Sequence, residues 1–246
     1  MKILTTLLFL LLPFQYTVET IGFPSKDGIQ ISADLYAPHK DQTTPFIVLF
    51  HQAGWSRGEY MEIAPKLNAL GFNCLAVDLR SGGSINTIEN ETHKRAKQLD
   101  MPTKYINSYQ DIEAAVAYVR SKYAKGKLII WGSSYSAALV LKYAGDHKDV
   151  DGILSFSPGE YFSGQGESNT YVTDAAKSIQ VPVFITSGKN EVKSWKDIFE
   201  AIPSVKKEYF TPETAGNHGS RALWQKFDDS DAYWTAVDAF LKKIFL

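Results

Sequence analysis

The sequence lacks the features of several protein classes. It has a single cysteine, Cys74, which excludes a disulfide framework; a lone thiol in such a strand-like run is most often a small core residue. The 26 Lys and Arg residues are balanced by 27 Asp and Glu residues, and no basic stripe is present, so we expect no nucleic-acid partner. No His or Cys cluster has zinc spacing, and we expect neither a metal nor a cofactor.

The N-terminus, MKILTTLLFLLLPF, places Lys2 before an apolar run. That run is shorter than the about 20 residues that span a bilayer, and it fits the core of a secretory signal. It can also be a first strand, but strand-like sequence follows closely at YTVETIGF. We therefore predict a signal peptide at 1–16, one domain at 17–246, and a secreted or periplasmic protein without stable membrane insertion after signal removal. No A-x-A site marks the cleavage point.

The remaining chain alternates strand and helix patterns, with 44% apolar and 22% charged residues, as in ordinary globular proteins. The predicted strands lie at 16–23, 29–36, 45–50, 72–78, 127–132, 152–157, 181–188 and 205–211. From residue 45 onward helical patterns separate them. This order predicts an α/β fold with a mainly parallel sheet of about eight strands, helices on both faces and an N-terminal antiparallel hairpin.

Chemically useful residues follow four of these strands. Ser134 follows the strand at 127–132, Glu191 the strand at 181–188, and His218 the last strand. The loop HQAGW follows the strand at 45–50. Because ligands bind at the carboxyl ends of parallel strands, we expect these four segments to meet.

A serine, a histidine and a carboxylate are the groups that acyl transfer requires. A serine hydroxyl becomes a nucleophile when an imidazole takes its proton. A carboxylate behind the imidazole fixes its tautomer and stabilises the imidazolium. Two backbone N–H groups must then stabilise the oxyanion of the tetrahedral intermediate.

Four short motifs resemble those of α/β-hydrolases, and the resemblance runs from about residue 20 to the end. GSSYS resembles the nucleophile-elbow motif G-x-S-x-G. DLRSGGS, SGKNE and GNHG are similar to the D-x-R-G-x-G-x-S, acid and histidine loops of that family. The resemblance implies an α/β-hydrolase fold with Ser134 as nucleophile, His218 as base and Glu191 as acid. Ser136 stands where the family usually has glycine.

The loop after the 45–50 strand is the expected source of one oxyanion donor. By resemblance to H-G-x loops, the backbone N–H of Ala53 is the first choice and Gln52 the second, while Tyr135 supplies the other donor. We interpret His51 as a structural residue that holds this loop. HQAGW also resembles the loop of dienelactone-hydrolase-like proteins, which usually carry a cysteine nucleophile.

Alternatives exist for two of the three catalytic positions. Ser133 competes with Ser134, but it aligns only if the elbow motif shifts by one residue. Asp197, Asp174 and Glu167 compete with Glu191 as the acid.

A serine at the elbow points to esters, thioesters or amides, of which esters are the commonest substrates in the family. The insertions at 85–107 and 157–181 are too short for a large cap, which favours short acyl chains, or the accessible ester of a larger molecule, over long-chain fats. We expect a small-molecule ester as the substrate. Trp55, Tyr161 and Phe162 follow strand ends and are candidates to contact it. Two alternatives remain, namely a non-catalytic binding or scaffold protein on a hydrolase fold, and an amidase or peptidase. Nothing in the sequence indicates an oligomeric state.

Overall fold

The apolar runs of the sequence form the centre of one sheet. The computed structural model describes residues 18–246, and the predicted signal peptide at 1–16 lies outside them. The strands are β1 (Glu19–Pro24), β2 (Gln30–Tyr36), β3 (Phe46–Phe50), β4 (Asn73–Val77), β5 (Ser84–Ile85), β6 (Ile88–Glu89), β7 (Leu128–Ser133), β8 (Gly152–Phe156), β9 (Val183–Thr186) and β10 (Lys207–Phe210). The α-helices are α1 (Ile63–Ala69), α2 (Glu91–Gln98), α3 (Tyr109–Lys122), α4 (Tyr135–Asp146), α5 (Tyr171–Ala176), α6 (Lys196–Ala201) and α7 (Ser230–Phe245).

The main sheet of the described residues has eight strands in the order β1-β2-β4-β3-β7-β8-β9-β10. β2 pairs antiparallel with both β1 and β4. The other neighbouring pairs are parallel. The predicted mainly parallel sheet of about eight strands with an N-terminal antiparallel hairpin is therefore confirmed, and the carboxyl ends of β3, β7, β8, β9 and β10 share one edge.

Helices cover both faces of the sheet, as predicted. Successive side chains of a strand point to opposite faces, so β3 contributes to two layers. Phe46, Val48 and Phe50 pack in the layer that holds α3, α4, α5 and α6. Ile47 and Leu49 pack in the layer that holds α1 and α7. Burial on both faces explains why β3 reads as a continuous apolar run.

The segment at 81–107 contains a two-stranded hairpin of β5 and β6 followed by α2. Polar contacts order it. The Asn90 carboxamide oxygen accepts the His93 N–H at 2.7 Å and caps α2, and Asp78 accepts the Glu91 N–H at 2.9 Å. Because the segment is held by polar side chains, its sequence has no clear apolar periodicity.

Two buried arginines fix the chain around the end of β4. Arg57 contacts the carboxylates of Asp34 and Asp78 at 2.9 and 2.6 Å. Arg80 contacts Asp27 and Asp111 at 2.6 and 2.7 Å. These contacts give the glycine-bearing loop after β4 a structural role.

The connection between β8 and β9 contains only the 3-10 turn Ser163–Gln165 and α5. It is as short as the sequence predicts. Within residues 18–246, no helix has the length and apolar character needed to cross a bilayer.

Candidate active site

Ser134 lies on a strained turn between β7 and α4. Its φ of 59° and ψ of −120° fall in a region that residues other than glycine rarely adopt. The turn is held because the Ser134 N–H donates to the carbonyl oxygen of Phe156 at 2.7 Å. Gly132 permits it, since a Cβ there would lie 2.5 Å from the backbone nitrogen of Ala137 in the packed helix. The chain thus presents the Ser134 hydroxyl at the carboxyl edge of the sheet.

Ser136, which replaces the usual glycine, is fully buried and hydrogen-bonded rather than loosely packed. Its Oγ accepts the N–H of Ser133 at 2.8 Å. The same hydroxyl donates to the carbonyl oxygen of Phe50 at 2.8 Å. Ser136 therefore links the turn to the end of β3, which leads into the loop HQAGW.

The structure brings together Ser134, His218 and Glu191, which three different loops carry. His218 Nε2 lies 2.8 Å from Ser134 Oγ, and His218 Nδ1 lies 2.8 Å from Glu191 Oε1. Glu191 belongs to the 3-10 turn Lys189–Ser194 after β9, and His218 follows β10. The arrangement allows a proton to pass from the serine hydroxyl to the imidazole while the carboxylate holds the opposite nitrogen.

Glu191 is poised to remain ionised. Its side chain is 31% exposed and that of His218 is 34% exposed. Burial opposes ionisation of Glu191, but hydrogen bonds from His218 and Ser157 outweigh it and lower the pKa of this carboxyl. A charged Glu191 is the form that stabilises an imidazolium.

Ser157 supports this arrangement, although no sequence motif identifies it. It follows β8 with a φ of 57°, a second strained residue. Its hydroxyl donates to Glu191 Oε2 at 2.6 Å and accepts the Gly219 N–H at 2.8 Å. Ser157 therefore joins the acid loop to the histidine loop.

One of the two predicted oxyanion donors in the loop after β3 is wrong. The backbone N–H of Gln52, the second choice, donates to Glu59 Oε2 at 2.8 Å and is not free for a substrate.

The imidazole of His51 holds the loop as predicted, with Nδ1 2.8 Å from the Gln52 carbonyl oxygen. Burial lowers the pKa of His51 to about 4 and keeps it neutral. Ala53 is half-buried in the same loop, and Tyr135 is the first residue of α4, where helix N–H groups have no intrahelical acceptor.

Ser133, the rival nucleophile, is fully buried and engaged. Its hydroxyl donates to Glu59 Oε1 at 2.7 Å and accepts the Ser220 N–H at 2.8 Å. Glu59, which sequence reasoning missed, is also fully buried. Burial raises the pKa of Glu59 to about 7, against the opposing hydrogen bonds from Ser133 and Gln52.

The three aromatic residues predicted to contact a substrate occupy different environments. Trp55 is half-buried and stacks on Trp224 with ring centroids 5.2 Å apart. Tyr161 is half-buried, and its hydroxyl donates to the Ser157 carbonyl oxygen at 2.7 Å. Phe162 is fully buried in the core against Tyr171, so its predicted place beside a substrate is wrong.

The competing acids lie elsewhere. Asp174 contacts Lys177 at 2.7 Å, and Asp197 is exposed on α6. Glu167, in the loop before α5, is half-buried. Among residues 18–246, no group of three or more His, Cys, Asp or Glu side chains is arranged to hold a metal ion.

Comparison with known proteins establishes the family. A family model described as "Serine aminopeptidase, S33" matches residues 41–163, which is 123 of the 246 residues. The chain belongs to this family of α/β-hydrolases. The matched part contains Ser134 and the loop after β3, and it ends before Glu191 and His218.

More distant likenesses agree on the fold. Quorum-quenching protein AidA from Acinetobacter baumannii is 31% identical over 141 residues, which is 56% of this chain and 43% of AidA, so this chain spans less than half of that relative. The esterase Pf2001 from Pyrococcus furiosus has a TM-score of 0.71 at 18% identity, over 93% of each chain. A dienelactone hydrolase from Anabaena variabilis has a TM-score of 0.71 at 13% identity, over 93% of this chain and 98% of that one. The predicted α/β-hydrolase fold is confirmed.

Proposed function

We propose that the protein is a serine hydrolase that cleaves carboxylic esters of small molecules through an acyl-enzyme. Ser134 is the nucleophile, His218 the general base and Glu191 the acid of a Ser-His-Glu triad. The observation that carries this proposal is the unbroken pair of 2.8 Å contacts from Ser134 through His218 to Glu191.

In the first half-reaction, His218 Nε2 takes the proton of Ser134 Oγ as the oxygen attacks the ester carbonyl carbon. The carbonyl oxygen becomes an oxyanion, which the N–H groups of Tyr135 and Ala53 stabilise. The imidazolium then gives its proton to the departing alkoxide. The products are an alcohol and an ester of Ser134.

In the second half-reaction, neutral His218 takes a proton from water, and the hydroxide attacks the acyl carbon. Collapse of the second oxyanion breaks the bond to Ser134 Oγ, which regains the proton from His218. A carboxylic acid leaves, and the enzyme returns to its starting state. No cofactor takes part.

The short connection between β8 and β9 supports substrates with short or accessible acyl groups, because it is too short to form a large cap. Trp55 and Tyr161 are the aromatic residues that remain candidates for substrate contact. Their partial exposure fits that role.

The decisive experiment measures hydrolysis of p-nitrophenyl acetate by wild type, Ser134→Ala and the exposed control Ser121→Ala. We expect activity in wild type and Ser121→Ala, and a loss of at least ~10³-fold in Ser134→Ala. An organophosphonate probe should label Ser134 alone by mass spectrometry. A label on Ser133, or no label, would contradict the assignment of Ser134 as nucleophile. No turnover of esters, thioesters and amides alike would favour the non-catalytic scaffold alternative.

A peptidase or amidase is the second candidate, because the matching family is described as a serine aminopeptidase. A matched pair of an acyl p-nitrophenyl ester and the corresponding p-nitroanilide separates the two activities. Faster turnover of the anilide at equal concentration would replace ester hydrolysis with amide hydrolysis as the proposed reaction.

We also propose that residues 1–16 direct export and that the mature domain acts in the periplasm or outside the cell. Lys2 followed by the apolar run supports this proposal. N-terminal sequencing of protein expressed in a Gram-negative host should find a chain that begins near Tyr16 or Thr17. An intact Met1 on active cytoplasmic protein would contradict it.

A further inference from the structure

One carboxylate beside the candidate site has no part in the mechanism proposed above. Glu59 lies in the 3-10 turn Arg57–Tyr60 and is fully buried. None of the ion pairs within residues 18–246 includes it. A carboxyl group of this kind, without a cation in contact, is costly to bury unless its hydrogen bonds serve the fold or the site.

The two oxygens of Glu59 connect the loop after β3 to the Ser134 turn, and Ser133 extends this connection to the segment after His218. Oε2 accepts the Gln52 N–H at 2.8 Å, in the loop that contains Ala53. Oε1 accepts the hydroxyl of Ser133 at 2.7 Å, the residue before the nucleophile. The same hydroxyl accepts the Ser220 N–H at 2.8 Å, two residues after His218.

The backbone around Glu59 is fixed, so its carboxylate is a rigid anchor. The carbonyl oxygen of Glu59 accepts the indole N–H of Trp224 at 2.9 Å. Tyr60 is fully buried, and its hydroxyl donates to the carbonyl oxygen of Phe50 at 2.6 Å. The turn is therefore hydrogen-bonded to Trp224, in the segment that precedes α7, and to Phe50 at the end of β3.

We propose that Glu59, as a carboxylate, is a positioning residue that holds the Gln52–Ala53 peptide and the Ser134 turn in register for oxyanion stabilisation. Both of its partners offer hydrogens, and only the ionised form accepts from both without rearrangement. Fixing the Gln52 N–H orients the following peptide, whose N–H belongs to Ala53. This inference rests on the proposed ester hydrolysis.

Protonation gives the cluster a second arrangement. A protonated Glu59 donates one hydrogen bond, and the Ser133 hydroxyl must then turn away from it. Gln52 Oε1, a buried oxygen without a partner among the described residues, lies with Ser133 Oγ against Gly219 and offers an alternative acceptor. In this proposal the cluster has two hydrogen-bond patterns, which differ at the side chain of Gln52, the residue that precedes the proposed oxyanion donor.

The charged and titratable groups that face Glu59 come from two other segments and its own turn. His218 and Arg221 lower the pKa of Glu59, and burial, which is the larger effect, raises it to about 7. Tyr60 faces it as a neutral phenol, because burial raises the pKa of Tyr60 well above its usual value. The exchange between the two patterns thus falls in the neutral range.

Glu59→Gln mimics the protonated state: its neutral amide oxygen accepts from Gln52 more weakly than a carboxylate does, and its NH₂ group donates to Ser133. We expect the wild-type to variant ratio of kcat to rise from about 1 at pH 5.5 to about 10–100 at pH 8.5, less than the 10²–10³-fold loss of a whole oxyanion donor. KM should change little. Glu62→Gln, an exposed control three residues away, should keep a ratio near 1 throughout.

A ratio that does not vary with pH, or equals 1 at pH 8.5, would overturn the positioning role while leaving ester hydrolysis intact. A second measurement does not depend on activity, and it decides the matter if wild type hydrolyses nothing. Amide hydrogen exchange of the peptide that contains Gln52 and Ala53 should be faster in Glu59→Gln than in wild type at pH 8.5 and equal at pH 5.5. Equal exchange at both pH values would contradict the proposal.

Discussion

Glu191 and Glu59 both lie beside the candidate active site, but their surroundings shift their pKa values in opposite directions. Glu191 is about one-third exposed and contacts His218 and Ser157, and its pKa is lowered. Glu59 is fully buried, contacts only neutral donors, and its pKa is raised to about 7. The same residue type thus gives a carboxyl group with a lowered pKa on one side of the site and one with a raised pKa on the other.

The difference between the two pKa shifts comes from the hydrogen-bond partners of each carboxyl group as much as from burial. Both carboxyl groups lose water, and in both cases burial is the largest single influence on the pKa. Glu191 has a hydrogen bond with the His218 ring, which becomes cationic in the proposed reaction, whereas His218 acts on Glu59 only through a longer-range electrostatic interaction. A contact with the imidazole therefore separates an acid of the triad from a positioning group.

The largest expected effect is a loss of kcat on substitution of Glu191. Glu191→Gln removes the charge that stabilises the imidazolium and puts an amide against His218 Nδ1, which favours the wrong tautomer. We expect kcat for p-nitrophenyl acetate to fall by roughly 10³-fold or more, with little change in KM.

Asp197→Asn is the control for that experiment, because Asp197 competes with Glu191 in the sequence and is exposed on α6. Its kcat should stay within about twofold of wild type. A large loss in Asp197→Asn together with a small one in Glu191→Gln would move the acid of the triad to Asp197.

The next largest expected effect is the contribution of Glu59 to the free energy of unfolding. The pKa of Glu59 rises from 4.5 in the unfolded chain to about 7 in the fold, so its contribution to stability is full below pH 4.5 and is lost as the pH rises through 7. At 1.36 kcal/mol per pKa unit, this shift corresponds to ~3 kcal/mol. Glu59→Gln avoids the loss, and its free energy of unfolding should exceed that of wild type by up to ~3 kcal/mol at pH 8.5 but equal it near pH 4.5.

Urea unfolding at the two pH values measures this difference. Glu62→Gln serves as the exposed control and should change the free energy of unfolding by no more than ~0.5 kcal/mol at either pH. A Glu59→Gln protein that is less stable than wild type at pH 8.5 would mean that the carboxylate is a net stabilising group, contrary to its raised pKa.

The fold and the Ser134–His218–Glu191 contacts were predictable because local patterns encode them. Apolar runs buried on both faces identify strands such as β3 and β7 without reference to the rest of the chain. Once the strands are ordered in parallel, the residues that follow them must share an edge. The boundaries were less exact, since β9 covers Val183–Thr186 rather than the predicted 181–188.

The contacts around Glu59 were not predictable from the sequence, because they join polar residues that are far apart in the chain. Glu59 meets Ser133 across 74 positions of the chain, and no local pattern marks a glutamate in the segment RGEY as buried. The motif alone leaves Ser133 as a rival nucleophile, and only the contact of its hydroxyl with Glu59 excludes that role. Phe162 follows a strand end, as a substrate contact would, but its ring turns into the core.

The smallest expected effect sharpens the comparison at Ser157, whose hydroxyl donates to Glu191 as the hydroxyl of Ser133 donates to Glu59. Ser157→Ala leaves the Gly219 N–H without its acceptor and removes the 2.6 Å hydrogen bond to Glu191 Oε2, so the pKa of Glu191 should move back toward its usual value. A lowered carboxyl pKa contributes stability above the unfolded pKa and loses it as the pH falls through the folded one. The variant should therefore lose part of that stability above pH 4.5, about 1 kcal/mol, and roughly tenfold in kcat.

Ser155→Ala is the matched control for Ser157→Ala, because Ser155 is a buried serine on β8, two residues before Ser157, and its hydroxyl donates to the Ala137 carbonyl oxygen at 3.0 Å. It should cost about the same stability and leave kcat unchanged, since it contacts neither the acid nor the histidine loop. If both variants lost kcat equally, the effect of Ser157 would be general loosening of β8. If only Ser157→Ala lost kcat, the strained serine would belong to the Glu191 side of the site and would act together with the contact between Glu191 and His218.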